Sequence, residues 1–314
     1  MTTSARSVAN HFQQRLRLFL ALSRTPHGLI DMTAPALAAL LCLGHFPKPS
    51  VVLVGLLTVF AGYTAVYALN DLVDFLPDRK KVKYGGYNNT EKYLDGVWIR
   101  HPLAKGVLSL WAGVAWTLCW TLVTLIGAYW LNPVCLYLFI AGCLLETLYC
   151  TLWRVTPLRT IINGIVKTIG ALAAIFAVNP SPSIPFLAVL FLWLFFWEIG
   201  GQNIPNDWTD MEEDTRFGAQ TIPVKLGAHR ASLISVAALV LTLFLNLLML
   251  WLSPLSFNAL YLVATVLITF FMLLQPALRL AENQARRHAM ELFNKASYYP
   301  LATFVLVLVR IVQP

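Results

Sequence analysis

The chain has 314 residues, of which 58% are hydrophobic and only 12% are charged, and its mean hydropathy is +0.67. These values lie outside the range of soluble globular domains and predict a polytopic membrane protein, such as an enzyme, a carrier or a channel. The net charge of +8 would suit a nucleic-acid partner, but the distribution of the basic residues argues against that class.

The first 28 residues are mostly polar and carry Arg6, Arg15, Arg17 and Arg24. They contain no compact apolar core followed by a cleavage site of small residues. We therefore expect no removable signal peptide in this part of the sequence.

Nine apolar segments follow, each of roughly the 20 residues needed to cross a bilayer. They lie at about 27–44, 51–69, 107–129, 133–152, 157–178, 184–204, 231–252, 256–277 and 295–312. The prediction is an all-α fold, a polytopic membrane bundle of nine transmembrane helices that forms one domain over residues 1–314. The five cysteines fall inside these segments without CxxC spacing, which favours buried apolar residues over a disulfide framework or a zinc site.

Basic residues are concentrated on one side of the predicted bundle. The amino-terminal tail and the loops after segments two, four, six and eight contain 20 of the 23 Lys and Arg residues. By the positive-inside rule this side is cytoplasmic, so we expect the amino terminus inside and the carboxyl terminus on the opposite side. The longest cytoplasmic loops, about 79–106 and 215–230, would cap a cavity that opens on this side. The charge pattern predicts contact with membrane lipids and no nucleic-acid partner.

The pattern Asn-Asp-x-x-Asp-x-x-x-Asp occurs twice, each time at the cytoplasmic end of an even-numbered segment. The first copy contains Asn70, Asp71, Asp74 and Asp78, and the second contains Asn206, Asp207, Asp210 and Asp214. Asp71 and Asp207 are 136 positions apart. The two copies suggest an internal repeat, which rests on this pattern alone because no other similarity between the halves is apparent.

Three carboxylates at positions i, i+3 and i+7 share one face of an α-helix. Carboxylates this close repel one another unless a cation joins them. Oxygen ligands in incomplete sets suit Mg²⁺, which usually keeps several waters and bridges to phosphate oxygens. Two such sets facing one cavity would form a clamp for a diphosphate. The alternative is that the aspartates only mark the polar ends of two helices, but the identical pattern at two places favours metal binding.

Pro77 lies inside the first motif. Its missing N–H group and its fixed φ disfavour a continuous helix there. We therefore expect a bend at Asp78, the least regular of the six predicted ligands.

A second set of polar residues lies inside the apolar segments. The ionisable members are Glu146, Lys167 and Glu198, and Gln202 and Asn203 follow Glu198. Ionisable groups within a membrane usually face a cavity or a partner. Lys167 is expected to form a structural ion pair with Glu146 or Glu198. In the competing interpretation, Glu198 lines an acceptor pocket and helps to activate or orient a nucleophile.

Two further segments accompany the acidic motifs, namely RHPLAKG at 100–106 and GAQTIPVKLG at 218–227. With the paired motifs, these segments resemble the UbiA superfamily of intramembrane prenyltransferases. The resemblance runs from Arg24, before the first segment, to the ninth segment. It implies nine transmembrane helices around a central cavity and Mg²⁺-dependent use of a prenyl diphosphate. The chain departs from the family pattern after Tyr149, where a basic residue is expected about four positions later and Trp153 stands instead, followed by Arg154.

The resemblance also implies roles for particular residues. Mg²⁺, with Mn²⁺ as an alternative, would be held by Asp71, Asp74, Asp78, Asp207, Asp210 and Asp214. The diphosphate would contact Arg24, Asn70, Lys105, Arg154, Asn206 and Lys225, although each of the four basic residues could equally serve as a positive-inside charge or contact a lipid headgroup. Tyr149 would stabilise positive charge on the isoprenoid, and Glu198 would act on the acceptor.

The predicted reaction is transfer of an isoprenoid from its diphosphate to a hydrophobic or aromatic acceptor within the membrane. Two alternatives lie within the same superfamily, a terpene cyclase and a prenyl-phosphate sugar-transfer enzyme. A cation or solute carrier is an alternative from a different class. A carrier would leave the segments at 100–106 and 218–227 unexplained. The oligomeric state, the acceptor and the length of the isoprenoid remain open at this point.

Overall fold

The computed structural model describes residues 3–86 and 98–313, with side chains from residue 13 onward. Regular structure in these ranges is entirely helical. Nine helices in them are long and apolar enough to cross a membrane, and they are numbered here as spans 1 to 9. They are Thr25–Leu43, Pro49–Val73, Leu110–Leu131, Pro133–Arg154, Arg159–Val178, Ile184–Thr209, Ile222–Leu252, Ala259–Glu282 and Arg286–Val312. The predicted all-α fold class is confirmed.

Span 7 begins at Ile222, nine residues before its predicted start, so most of the predicted loop 215–230 is helical. Pro223 lies in its first turn, where a proline needs no N–H donor. Gly227 then takes φ 79° and ψ 162° and kinks the helix, a conformation that favours glycine. The other predicted capping loop is helical to Lys83, and its residues 87–97 lie outside the described part of the chain.

Span 6 contains a π-helical turn at Glu198–Asn203, between α-helices Ile184–Trp197 and Ile204–Thr209. Two glycines let this turn pack closely against its neighbours. A Cβ on Gly200 would lie 2.8 Å from the carbonyl oxygen of Ser235, and a Cβ on Gly201 would lie 2.8 Å from Ala296 Cβ. π-Helical turns are frequent at functional sites, and this one directly precedes the second acidic motif.

The apolar core lies among spans 1, 5, 6, 7, 8 and 9. Trp193 and Tyr299 are fully buried at its centre, and the indole nitrogen of Trp193 donates a hydrogen bond to the Tyr299 hydroxyl over 3.2 Å. This packing fixes span 6 in the interior. The end of span 6 that carries the second acidic motif therefore has a rigid support.

Three further helices complete the fold. The amino-terminal helix Thr3–Leu22 packs on span 3, where Phe19 stacks on Trp116 with 4.8 Å between ring centroids. Helices Phe75–Lys83 and Met211–Phe217 follow spans 2 and 6. These two short helices carry the last part of each acidic motif.

Candidate active site

The two acidic motifs share one backbone geometry. Span 2 ends at Val73 and span 6 ends at Thr209, and in each case the middle aspartate links the span to the next short helix. Asp74 has φ −83° and ψ 3°, and Asp210 has φ −106° and ψ 10°. The sequence predicted that each trio shares one face of an α-helix, with a bend at Asp78 in the first motif. That prediction was wrong in position, because both motifs bend at their second aspartate.

Pro77 does not cause the bend in the first motif. The chain turns at Asp74, and Pro77 lies in the first turn of helix Phe75–Lys83. A backbone N–H in the first turn has no acceptor within the helix, so a proline there costs no hydrogen bond. The second motif bends in the same way without a proline. Asp78 and Asp214 occupy the first turns of the short helices, where the helix dipole favours carboxylates. The last aspartate of each motif thus favours the start of a second helix after the middle aspartate.

Both motifs face the same cavity, which has a volume of about 540 Å³. The motif aspartates that line it are Asp74, Asp78, Asp207, Asp210 and Asp214. Asp71 is buried beside the cavity. The wall then becomes apolar and includes Val51, Gly55 and Ala174, which lie toward the opposite end of the spans. The cavity thus joins a charged end to an apolar interior.

Basic side chains pair with the first acidic motif. Arg24 Nη2 lies 3.5 Å from Asp71 Oδ1 and donates a hydrogen bond to Asn70 Oδ1 over 3.1 Å. His101 Nδ1 lies 3.2 Å from Asp71 and 2.9 Å from Asp78. Arg24 and His101 both take positive φ, at 44° and 53°. Their backbone conformation is uncommon for these residue types and aims both side chains at the motif.

The second motif has its own basic partners. Arg159 Nη2 donates to Asp207 Oδ1 over 2.8 Å, and both side chains are buried. Arg100 lies 3.7 Å from Asp210. Lys81 Nζ lies 3.6 Å from Asp214. Arg100 and Lys81 come from the region after span 2, so the first half of the chain supplies cations to the second motif.

Crowding of buried carboxylates raises the pKa of two motif aspartates outside the spans. Burial, together with the nearby Asp78 carboxylate, raises the pKa of Asp74 to about 6. Burial, reinforced by Asp207 and Asp210 and opposed by Lys81, raises the pKa of Asp214 to about 7. These carboxylates gain stability from added positive charge, because like charges in a buried site disfavour ionisation.

His101 shows the reverse effect. Burial alone would lower its pKa, but the carboxylates of Asp78 and Asp71 outweigh burial and raise the pKa to about 9. At neutral pH the imidazole is therefore a cation beside the first motif.

The residues present fit a divalent cation. One potential ligand atom from each of Asp71, Asp78 and His101 lies within 4.8 Å of the others, and an ion bound by all three would displace the imidazolium proton of His101. Asp207 Oδ2 is buried without a hydrogen-bond partner in the described part of the chain. Carboxylate oxygens of this kind are ligands that Mg²⁺ and Mn²⁺ accept.

Further polar contacts tie span 4 to both motifs. Asn70 Nδ2 donates to Glu146 Oε1 over 2.7 Å, and Asn203 Nδ2 donates to the Tyr149 hydroxyl over 3.1 Å. The guanidinium of Arg159 lies over the Tyr149 ring, 4.4 Å from its centroid. Tyr149 thus positions Arg159, which in turn holds Asp207.

Lys167 does not pair with Glu146 or Glu198, so the predicted ion pairs were wrong. Its Nζ lies 2.7 Å from Asp31 Oδ2 and 2.8 Å from the Tyr67 hydroxyl. Glu198 accepts a hydrogen bond from Asn163 instead, over 2.7 Å. The physical reason is that spans 1 and 5 are neighbours, so Asp31 reaches Lys167 more closely than either glutamate does.

The predicted site residues separate into two groups. Arg24, Asn70, Asn206, Tyr149 and Glu198 line the cavity together with the acidic residues. Lys105, Arg154 and Lys225 are exposed and do not line it. The guanidinium of Arg154 instead lies over the Trp153 ring, 5.2 Å from its centroid.

Sequence reasoning missed five charged residues of the site, namely Asp31, Lys81, Arg100, His101 and Arg159. A signal was present for Arg159. Arg24-Thr25 opens span 1 and Arg159-Thr160 opens span 5, 135 positions later. This offset differs by one position from the 136 positions between the acidic motifs, so an internal repeat would predict an arginine near the start of span 5.

Known proteins resemble the chain in sequence. Residues 32–298 match the model of the UbiA prenyltransferase family. A digeranylgeranylglyceryl phosphate synthase from Thermococcus kodakarensis is 22% identical over 226 residues, which cover 72% of this chain and 75% of that protein. The enzyme of the same name from Methanosarcina mazei is 31% identical over 193 residues, or 60% of this chain and 63% of that protein.

Solved structures share the fold. A structure described as that of digeranylgeranylglyceryl phosphate synthase superimposes with a TM-score of 0.69 at 17% identity and covers 96% of this chain and 100% of its own. A UbiA homolog from Archaeoglobus fulgidus bound to DMAPP and Mg²⁺ gives a TM-score of 0.61 at 16% identity. The match covers 93% of this chain and 99% of that chain. The family match spans most of the chain, including both acidic motifs and most of the residues that line the cavity. The chain therefore belongs to the UbiA prenyltransferase family, and it is a multi-pass membrane enzyme that transfers a prenyl group from a prenyl diphosphate.

Proposed function

We propose that this enzyme uses Mg²⁺, with Mn²⁺ as an alternative, to transfer an isoprenoid to a hydrophobic or aromatic acceptor bound inside the bundle. The observation that carries the proposal is the convergence of both acidic motifs on one cavity whose far wall is apolar. The binding of DMAPP and Mg²⁺ by the Archaeoglobus fulgidus homolog supports it. In this proposal all six motif aspartates hold metal.

The chain's own cations complete the diphosphate site in this proposal. Arg24 contacts Asp71 of the first motif, and Arg159 contacts Asp207 of the second. Asn70 and Asn206 add amide groups at the equivalent positions of both motifs. Lys105, Arg154 and Lys225 stay outside the proposal, because their side chains are exposed away from the cavity.

Loss of the diphosphate leaves positive charge on the allylic carbon. When bound, Mg²⁺ supplies electrostatic stabilisation of the negative charge that develops on the departing diphosphate. The Tyr149 ring faces the cavity beside Arg159, and its π electrons stabilise the positive charge. The apolar wall excludes water, so an acceptor can react first. Glu198 lines the same cavity and orients or deprotonates the acceptor.

The concentration of basic residues supports an active site that opens toward the cytoplasm. The five aspartates of the cavity lie at the ends of spans 2 and 6 or in the short helices after them. These ends belong to the side that holds 20 of the 23 Lys and Arg residues. Labelling of single cysteines introduced into the tail and the loops, in sealed vesicles of known orientation, tests this assignment.

The proposal is tested by incubating the purified protein with prenyl diphosphates of several lengths and a panel of acceptors. Diphosphate release and product mass are followed with Mg²⁺, with Mn²⁺ and with EDTA. Asp71→Ala and Asp207→Ala should each abolish release while the protein stays folded. Retained turnover in both variants would remove the metal assignment.

The alternatives give different results in the same assay. A terpene cyclase would release a hydrocarbon or an alcohol from the diphosphate and Mg²⁺ alone, whereas the proposed transferase requires a second substrate. A carrier would move solute across vesicles without consuming a prenyl diphosphate.

A further inference from the structure

Lys81 lines the cavity between the two acidic motifs. It belongs to helix Phe75–Lys83, three residues after Asp78, and both side chains are buried. Residues three apart share one face of a helix, so one face carries Lys81 and the last aspartate of the first motif. From this face the Lys81 Nζ reaches to 3.6 Å from Asp214 Oδ1, in the last position of the second motif. A diphosphate that bridges the two motifs would therefore lie beside this ammonium group.

An aromatic ring supports the ammonium group of Lys81. Its Nζ lies 4.2 Å from the centroid of the Trp153 ring, and Trp153 also lines the cavity. The indole ring is the side chain that attracts cations most strongly through its face. This attraction does not occupy an N–H donor of the ammonium group. Trp153 can therefore hold Lys81 in place while the N–H groups of Lys81 exchange one oxygen acceptor for another.

The position of Trp153 is itself fixed by the backbone. Trp153 lies in the 3₁₀ turn Leu152–Arg154, which follows α-helix Pro133–Thr151. Its carbonyl oxygen accepts a hydrogen bond of 2.8 Å from the backbone N–H of Gln220. Gln220 follows the short helix that carries Asp214. The ring is thus tied to the part of the chain that carries the carboxylate paired with Lys81.

Trp153 occupies the position, four residues after Tyr149, at which the family pattern predicts a basic residue. The structure brings a basic group to the same place from a different element, because Lys81 reaches the Trp153 ring from the helix after span 2. Arg154, the next residue in the sequence, does not supply this charge to the cavity, since its side chain is exposed and does not line it. Lys81 therefore compensates for the charge that position 153 lacks.

The carboxylates around Lys81 favour a change of partner when the site is loaded. Its Nζ lies 3.6 Å from Asp214 and 4.0 Å from Glu213 Oε1. In the proposed function Asp214 binds metal, and the ammonium group then loses attraction to that carboxylate because the two cations repel each other. The oxygens of a bound diphosphate offer negative charge in its place, and lysine is a common partner of phosphate. Loading thus favours a move of the Lys81 Nζ from Asp214 to the diphosphate.

We propose that Lys81 binds the diphosphate directly and that Trp153 positions its ammonium group for this contact. This inference rests on the proposed function. The pair takes the place of a basic residue at position 153, with the charge now carried by the helix after span 2. Lys81 stabilises the negative charge that develops on the departing diphosphate, together with Arg24 and Arg159. Trp153 acts through Lys81 and is a positioning residue.

A binding measurement at saturating Mg²⁺ distinguishes contact with the diphosphate from mere neutralisation of Asp214. Purified full-length protein in nanodiscs is titrated with radiolabelled geranyl thiodiphosphate, a slowly reacting analogue. Lys81→Met should weaken binding by about tenfold or more, because a charged hydrogen bond to the diphosphate is lost. Unchanged affinity would overturn the inference, since metal can replace lysine as the charge that neutralises Asp214.

Lys80→Met is the matched control for this measurement. Lys80 lies on the same helix as Lys81 and has the same charge, but it is exposed and does not line the cavity. Its substitution should change the affinity for the analogue by less than about twofold. A loss equal to that of Lys81→Met would show a general effect of the positive charge of the helix and would overturn the assignment to Lys81.

The positioning role of Trp153 is tested by a double-mutant cycle. Trp153→Leu should weaken binding of the analogue by about threefold or more in the wild-type background. In the Lys81→Met background the same change should cost less than about twofold, because the ring acts through the ammonium group. Equal losses in both backgrounds, which a purely structural role of the ring would give, would contradict the proposal.

An exchange variant tests whether the two positions share one charge. Lys81→Met combined with Trp153→Lys carries the basic residue at the position that the family pattern predicts. It should bind the analogue at least about fivefold more tightly than Lys81→Met alone. No recovery of affinity in a folded exchange variant would overturn the claim that Lys81 compensates for the charge missing at position 153.

A structure of the wild-type protein with Mg²⁺ and the analogue tests the contact without any substitution. The Lys81 Nζ should lie about 3 Å from a phosphate oxygen and remain over the Trp153 ring. An ammonium group still bound to Asp214 or Glu213, away from the diphosphate, would overturn the inference even if the variants do not fold. Failure of the proposed function would appear separately, as the absence of Mg²⁺-dependent binding of the analogue by the wild-type protein.

Discussion

Asp31 and Lys167 lie 136 positions apart in the sequence, and their side chains form an ion pair of 2.7 Å. The same offset relates Asp71 to Asp207, and an offset of 135 relates Arg24 to Arg159. These offsets match the acidic motif, the arginine and the charge-pair member of one half to counterparts in the other half, as an internal repeat predicts. The two halves contact each other through charges of opposite sign at corresponding positions.

Loss of either partner of this pair should destabilise the protein. Lys167→Met leaves the buried Asp31 carboxylate without its cation, and we expect a loss of about 3–5 kcal/mol in the free energy of unfolding. The exchange Asp31→Lys with Lys167→Asp should recover much of that loss, because the repeat places both positions in similar surroundings. Thermal unfolding in detergent measures both effects. An exchange variant no more stable than Lys167→Met would contradict the equivalence of the two positions.

Arg159 should matter for catalysis where the neighbouring Arg154 does not. Arg159→Ala removes the cation that holds Asp207 and lies over Tyr149, so we expect diphosphate release to fall by about 100-fold or more. Arg154→Ala is the matched control, since Arg154 is exposed outside the cavity, and it should change release by less than about twofold. Steady-state kinetics on the purified variants decide between the two residues. Equal losses in both would contradict the geometry described above.

Divalent cations should stabilise the fold through the acidic motifs. Metal that binds only the folded protein adds about 2.7 kcal/mol at a concentration 100 times its dissociation constant. Mg²⁺ should therefore raise the Tm of the wild-type protein, and Asp71→Asn combined with Asp207→Asn should remove that increase. This measurement needs no turnover. An unchanged Mg²⁺ effect in the double variant would place the bound metal elsewhere.

The π-helical turn of span 6 should be intolerant of side chains at its glycines. Gly200→Ala would bring a methyl group to 2.8 Å from the Ser235 carbonyl oxygen, and forced overpacking of this kind costs about 1–3 kcal/mol. Gly55→Ala is the control, because no heavy atom lies within 4 Å of its added Cβ. Chemical or thermal unfolding measures the difference. Similar stability of the two variants would show that the turn is not held by close packing.

The number of spans and both acidic motifs could be predicted from the sequence, because hydropathy and charge are local properties. Contacts between distant residues could not. Lys167 was expected to pair with Glu146 or Glu198, since nothing local in the sequence shows that span 1 places Asp31 beside it. Arg159 was overlooked in favour of Arg154, because which side of a helix start faces a cavity depends on packing with other spans. Pro77 led to the expectation of a bend at Asp78, whereas the chain bends at Asp74, and the second motif shows that this bend does not need a proline.

A structure of the enzyme with Mn²⁺ and a prenyl thiodiphosphate tests the central claim most directly. Anomalous scattering should locate metal beside the first motif at Asp71 and Asp78 and beside the second motif at Asp207, with one diphosphate bridging the two. Metal on a single motif, or a diphosphate bound away from the shared cavity, would contradict the account.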